Sequence, residues 1–159
     1  MKILIISDTH GRHEYLDKVL ELERPYDRIV HLGDIEGAED YIEAVAGCPL
    51  DAVRGNNDFF SQLPDEDIIE IGGYRVFITH GHYYCVNAGV EHLIKEASGR
   101  PVDMVMFGHI HRPVLRKEGG LMVINPGSLS YPRQEGRRPT YIVMEIDAAG
   151  VASFSLKYL

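Results

Sequence analysis

Five short apolar runs in this chain each end in a turn that carries Asp, His or Asn, and that repeated ending limits the folds open to it. Lys2–Ser7 runs into Asp8-Thr9-His10, Arg28–Leu32 into Gly33-Asp34, and Ala52–Arg54 into Gly55-Asn56-Asn57-Asp58. Tyr74–Thr79 runs into His80-Gly81-His82, and Val102–Phe107 into Gly108-His109-Ile110-His111. Short apolar runs closed by Gly read as buried strands ending in turns. Open α/β sheets place their ligand sites just past the C-terminal ends of such strands. One strand ending in Asp or His is usually a cap or a satisfied polar side chain. Five in series, each offering a metal-type donor, point to a shared site.

The segments between these runs give the fold class. Residues 12–23 place Tyr15, Leu16, Val19, Leu20 and Leu22 on one helical face, and residues 37–46 do the same with Tyr41, Ile42 and Val45, stopped by Gly47. The first 54 residues therefore alternate strand and helix, the signature of a parallel sheet with covering helices. After Pro64 the pattern changes. Gly72-Gly73 and Gly119-Gly120 each separate two strand-like runs, as two-residue hairpin turns do. A third helix is expected over 87–97, and a third hairpin around Ala148-Ala149-Gly150. The expected fold is α/β: a parallel first half, a second half mostly of antiparallel hairpins, and two sheets packed face to face with helices outside. The ligand-bearing turns converge on one edge.

A chain of 159 residues suits one domain, 1–159, with a single sizeable core. Its net charge of -8 argues against non-specific binding to nucleic acid or to an anionic membrane. Cys48 and Cys85 form no CxxC pair and read as reduced thiols of a cytoplasmic protein, with Cys85 expected to be small and buried. Ile3–Ile6 is too short for a signal-peptide core, and no apolar run approaches the ~20 residues that span a bilayer. Self-association is left open.

The donors at the strand ends are Asp8, His10, Asp34, Asn56, His80, His109 and His111. They form a mixed nitrogen and oxygen set without thiolate, which suits Mn, Fe, Zn, Co or Ni better than Ca²⁺, with Mn expected first and Mg also open. Seven donors are too many for one tetrahedral ion and enough for two if a carboxylate bridges. Two ions ~3.5–4 Å apart clamp an in-line displacement at phosphorus and lower the pKa of a bridging water toward ~7. No side-chain nucleophile is then required, and Ser7 and Thr9 read as turn residues.

The blocks Asp8-x-His10, Gly33-Asp34, Gly55-Asn56-x-Asp58, His80-Gly81 and Gly108-His109-x-His111, in that order, resemble the motif set of the calcineurin-like metallophosphoesterase superfamily. The short chain and Asn125-Pro126-Gly127-Ser128 are similar to its small YfcE-type phosphodiesterase group. The resemblance implies a four-layered α-β-β-α sandwich. It also implies one ion on Asp8, His10, Asp34 and His111, and a second on Asp34, Asn56, His80 and His109, bridged by Asp34. The implied activity is hydrolysis of a phosphate ester by a hydroxide between the ions. The alternative is a protein-binding module that keeps the fold with little or no catalysis.

One position departs from the pattern. Many superfamily members have His after the motif Asn, able to protonate the leaving group; here that residue is Asn57, which donates a hydrogen bond but is no acid near neutral pH. A preference for activated diesters or aryl esters over alkyl monoesters is therefore expected. His82 is the alternative acid. Asp58 is expected to orient a ligand, and Arg133, nearest the Asn125–Ser128 turn among several arginines, to hold a substrate phosphate. His31, inside a strand, reads as a core residue.

Overall fold

The computed structural model describes residues 1–159. Ten strands and three helices follow in the order β1 (Lys2–Ile6), α1 (Glu14–Leu22), β2 (Arg28–His31), α2 (Glu39–Ala46), β3 (Leu50–Ala52), β4 (Glu66–Ile71), β5 (Tyr74–Thr79), α3 (Glu91–Ser98), β6 (Met104–Phe107), β7 (Pro113–Glu118), β8 (Leu121–Pro126), β9 (Thr140–Ile146) and β10 (Ala152–Tyr158). A single 3₁₀ turn, His82–Tyr84, lies between β5 and α3. The strands form two five-stranded sheets, ordered β10-β9-β1-β2-β3 and β4-β5-β6-β8-β7.

The sheets pack face to face. Ile3, Ile5, Val30 and Leu32 from the first meet Val76, Ile78, Met104 and Met106 from the second in one buried cluster. The alternate residues Leu4, Ile6 and Ile29 turn outward against Leu16, Val19 and Leu20 of α1 and Ile42 of α2. Phe77, Val105 and Phe107 turn outward against Leu93 and Ala97 of α3. The result is the four-layered α-β-β-α sandwich. The inner strands are buried on both faces, which is why they read as continuous apolar runs. No helix is long and apolar enough to cross a membrane.

The Gly72-Gly73 and Gly119-Gly120 turns are as expected. Both glycines of each pair have positive φ, 56° and 90° in the first and 56° and 95° in the second, as a type I′ hairpin requires. The second half is less antiparallel than its hairpins suggest. β5, β6 and β8 pair in parallel, with hairpins only at the two edges of that sheet. The last hairpin joins the first sheet, with β9 antiparallel to β1. α3 starts at Glu91 rather than 87, because Cys85 (φ 54°) and Gly89 (φ 151°) hold the preceding chain in turns. Cys85 is exposed, not buried.

Parallel pairing of β1, β2 and β3 brings their C-terminal ends to one edge of the first sheet. Parallel pairing of β5 and β6 does the same in the second. Direct bonds join the two edges: His80 Nδ1 lies 2.6 Å from the Leu32 carbonyl, and the His109 N–H donates to Asp8 Oδ2 at 3.2 Å.

Candidate metal centre

Five of the seven expected donors sit in left-handed backbone: Asp8 (φ 55°), His10 (48°), Asp34 (54°), His109 (70°) and His111 (55°). That conformation costs an L-residue roughly 1–2 kcal/mol, and it persists only where the surroundings enforce it. Here they do. The Asp8 N–H donates to the Gly33 carbonyl and the His10 N–H to the Asp34 carbonyl, at 3.0 and 2.9 Å. The segment Asn125–Ser130 ties two of the donor loops together: Asn125 Nδ2 donates to the Gly108 carbonyl (2.7 Å), Ser128 Oγ to the Asp8 carbonyl (2.9 Å), and Ser130 Oγ to the Thr9 carbonyl (2.6 Å). Two glycines are needed for space. A Cβ at Gly55 would stand 2.2 Å from Asp34 Oδ1, and one at Gly108 would stand 2.2 Å from Ser7 Oγ.

Asp8, His10, Asp34 and His111 present ligand atoms that all lie within 4.8 Å of one another. Their orientation is as informative as their spacing. His10 Nδ1 lies 2.8 Å from Glu36 Oε1, His80 Nδ1 2.6 Å from the Leu32 carbonyl, and His111 Nδ1 2.8 Å from the Tyr131 carbonyl. Carbonyl and carboxylate oxygens only accept, so each of these Nδ1 atoms carries a proton, which fixes the ring and turns its Nε2 inward. The three Nε2 atoms point inward, 3.7 and 3.6 Å from Asp34 Oδ2 for His10 and His80 and 2.9 Å from Asp8 Oδ1 for His111. Asp8 Oδ1 and His10 Nε2 are buried with no aligned hydrogen-bond partner. Buried donor atoms without an aligned partner, gathered at one point, fit a cation, and the outer acceptors are the kind that fix metal-binding imidazoles.

The remaining donors are looser. His80 Nε2 lies 3.2 Å from Asn56 Oδ1, and the His80 and His109 rings are 5.0 Å apart between centroids. Asn56 is exposed and His109 half-buried. The Asn87 Nδ2 lies 2.7 Å from His109 Nε2 and donates to it.

Electrostatics follow the same division. Burial would raise the Asp8 carboxyl, but contact with His111 and the nearby His80 hold it below its ordinary range. Burial would lower His111, and its contact with Asp8 outweighs this and raises it. Burial, then repulsion from His80, takes His109 down to about 4. Beneath the cluster, His31 is fully buried with Nε2 3.0 Å from Thr9 Oγ1, and burial lowers it to about 4. It is a core residue, as its position in a strand suggests.

The other expected residues border this cluster. Asn57 grips Asp34: its N–H donates to Oδ1 at 2.9 Å and its Nδ2 to Oδ2 at 2.7 Å. Asp58 is buried and accepts from the N–H groups of Glu36 and Gly55, both at 2.6 Å, so it ties the loop after Asp34 to the loop of Asn56. His82 lies 5.4 Å from His80 ring to ring; burial first, then His80, lowers its pKa, so at neutral pH it is a poor acid. Arg133 is exposed beside His10 and His111 in a cavity of about 590 Å³ that also holds Arg112, Tyr131 and Arg137. Sequence reasoning missed Glu36, Asn87 and the Leu32 and Tyr131 carbonyls as partners of the imidazoles. Only Glu36, two residues past Asp34, left a signal that could have found it.

Residues 1–149 match the model of the calcineurin-like phosphoesterase superfamily domain. The chain is 34% identical over 154 residues to the probable metallophosphoesterase YsnB of Bacillus subtilis, covering 95% of this chain and 89% of that protein. It is 29% identical to the phosphodiesterase YfcE of Escherichia coli, covering 98% and 93%. The solved structure of a conserved, uncharacterized Streptococcus pneumoniae protein, described as a predicted phosphoesterase, superposes with a TM-score of 0.79 at 26% identity, covering 98% and 97%.

Proposed function

The chain belongs to the calcineurin-like phosphoesterase superfamily, and from that footing we propose that it is a phosphodiesterase working through a pair of divalent metal ions. Asp8, His10, Asp34 and His111 would hold one ion, and Asp34, Asn56, His80 and His109 the other, with manganese first among the candidates. Such a pair, when bound, supplies a water acidified toward pKa ~7 and a positive clamp on the phosphoryl oxygens.

The observation that carries this reading is the arrangement of the three imidazoles. Each has its outer nitrogen tied to an oxygen and its inner nitrogen turned toward Asp8 or Asp34. The chain's own groups then divide the remaining work. Asn57 fixes both oxygens of Asp34, the carboxylate shared by the two donor sets. Arg133, with Arg112 and Arg137 along the adjoining cavity, supplies guanidinium groups for phosphate oxygens outside the cluster. No imidazole stands at position 57 to protonate a leaving group, and His82 is held largely neutral. The reaction therefore favours esters whose leaving groups depart without help, activated diesters and aryl esters over alkyl monoesters. We read residues 1–159 as one domain, and the unpaired cysteines fit the reducing cytoplasm.

The test is turnover of bis(4-nitrophenyl) phosphate, 4-nitrophenyl phosphate and an alkyl phosphate by protein reconstituted with Mn²⁺, Zn²⁺, Fe²⁺, Co²⁺, Ni²⁺ or Mg²⁺, with Asp34→Asn as control. Turnover of the diester above the alkyl ester, abolished in Asp34→Asn, is expected. Inactivity with every ion would leave the protein-binding module as the better reading. Equal rates on all three esters would remove the assignment based on Asn57.

A further inference from the structure

Two of the five phenylalanines of this chain lie in solvent, and they are consecutive: Phe59 is 77% exposed and Phe60 97%. They follow directly on Asn56-Asn57-Asp58, so they stand at the rim of the donor cluster. Phe77 and Phe107, by contrast, are completely buried. Phe59 and Phe60 line an open cavity of about 660 Å³ with Glu36, Glu39, Asn57 and Ser61. That volume is in the range of small-molecule sites.

The charge of this cavity is one-sided. Its nine lining residues include three carboxylates and no Lys, Arg or His. Asp58 is occupied by backbone N–H groups. Glu36 accepts from His10, and Glu39 accepts from Ser61 Oγ at 3.1 Å; neither meets a cation. Two uncompensated carboxylates beside two open aromatic faces repel an anion and attract a cation, through charge and through the ring quadrupoles. The cavity beside His10 and His111 is the reverse, with Arg112, Arg133 and Arg137 around Tyr131.

We propose that the Phe59–Phe60 cavity receives a positively charged ester arm of the substrate, so that the preferred substrate is a phosphodiester with an ammonium group on one side of the phosphorus. This rests on the phosphodiesterase reading and adds the substrate class to it. The phosphate sits at the donors, its free oxygens face the arginine flank, and the cationic arm lies against Glu36, Glu39 and the two rings.

Three diesters that share the 4-nitrophenolate leaving group test this with the chemistry held constant: the choline ester, its uncharged carbon isostere the 3,3-dimethylbutyl ester, and a 3-carboxypropyl ester. With Mn²⁺-reconstituted protein at low ionic strength, the expected order of kcat/KM is choline, isostere, carboxypropyl, with about ten-fold between the first two. Glu39→Gln should shrink the choline-to-isostere ratio several-fold, as should raising the salt. Phe59→Ala/Phe60→Ala should shrink it as well. A ratio near one in the wild type, or a preference for the carboxypropyl ester, overturns the proposal while leaving the phosphodiesterase reading intact.

A readout independent of turnover uses the absence of tryptophan from the chain. Phe60→Trp introduces a single indole, the best ring for a cation. Titration of the Mn²⁺-loaded variant with choline methylphosphonate should quench it saturably, and 3,3-dimethylbutyl methylphosphonate should bind at least several-fold more weakly. Quenching without turnover of any ester would preserve the arm assignment and sink the phosphodiesterase reading. Equal binding of both phosphonates would sink the arm assignment.

Discussion

The two donor sets that share Asp34 are built to different standards. Asp8, His10 and His111 are set by strained backbone, tied from behind by Glu36 and the Tyr131 carbonyl, and gathered with Asp34 within 4.8 Å. On the other side His80 is equally well held, but Asn56 is exposed and the half-buried His109 ring is hydrogen-bonded only by the Asn87 amide, although its backbone is strained like that of the first set. The first set is organised before any ion arrives, whereas the second must tighten around one. Preorganised sites lose less on binding, so the account expects stepwise loading, with the Asp8 side filling first.

The largest effect that could break this comparison is the loss of one imidazole from each side. His111→Ala and His109→Ala should each lower turnover by about 10³-fold or more, since the two proposed ions would act together. Only His111→Ala should also remove the tightly held ion, as read by metal content after dialysis. Equal metal losses in the two variants would erase the distinction between the sets.

Next comes the support beneath the first set. His31 is buried neutral, with its pKa lowered from 6.5 to about 4. Between those values the unfolded chain binds a proton that the folded chain refuses, so stability rises with pH across that window and is lost as pH falls. At 1.36 kcal/mol per unit the contribution is about 3 kcal/mol. Urea titrations of metal-free protein at pH 7 and pH 5 should show the slope, and His31→Gln should reduce it, with His109, lowered as far, supplying much of the remainder. An unchanged slope in that variant would move the pH sensitivity to other groups.

Smaller again are the groups that hold imidazoles from behind. Glu36→Gln should weaken the first ion, and Asn87→Ala the second, by roughly 10- to 100-fold in affinity, measurable by calorimetry. Each variant should spare the other step. Smallest is His82→Gln, expected to cost only a few-fold in kcat on 4-nitrophenyl diesters with metal content unchanged, because His82 is already largely neutral. A loss of 10²-fold or more confined to poor leaving groups would restore His82 as the acid.

Much of this was legible in the sequence, for a local reason. Each donor follows a short apolar run, four of the five with Gly at or beside the turn, so strand, turn and ligand are written within about ten residues of one another. The glycine pairs at 72–73 and 119–120 likewise announce their turns through backbone freedom. The parallel pairing of β5, β6 and β8 was not legible, since it is a long-range choice and the hairpin signals at the edges mask it. Nor were the outer partners of the imidazoles, two of which are the backbone carbonyls of Leu32 and Tyr131 and so bear no side-chain signature. Phe59 and Phe60 carry the opposite message from their place in the fold: apolar by type, they stand in solvent beside the donors.

Anomalous diffraction from crystals of the protein grown with Mn²⁺ tests the central claim most directly. Two peaks flanking the Asp34 carboxylate, ~3.5–4 Å apart, are expected, with the peak beside Asp8, His10 and His111 the stronger at limiting metal. A single peak at saturating Mn²⁺, or peaks away from Asp34, would contradict it.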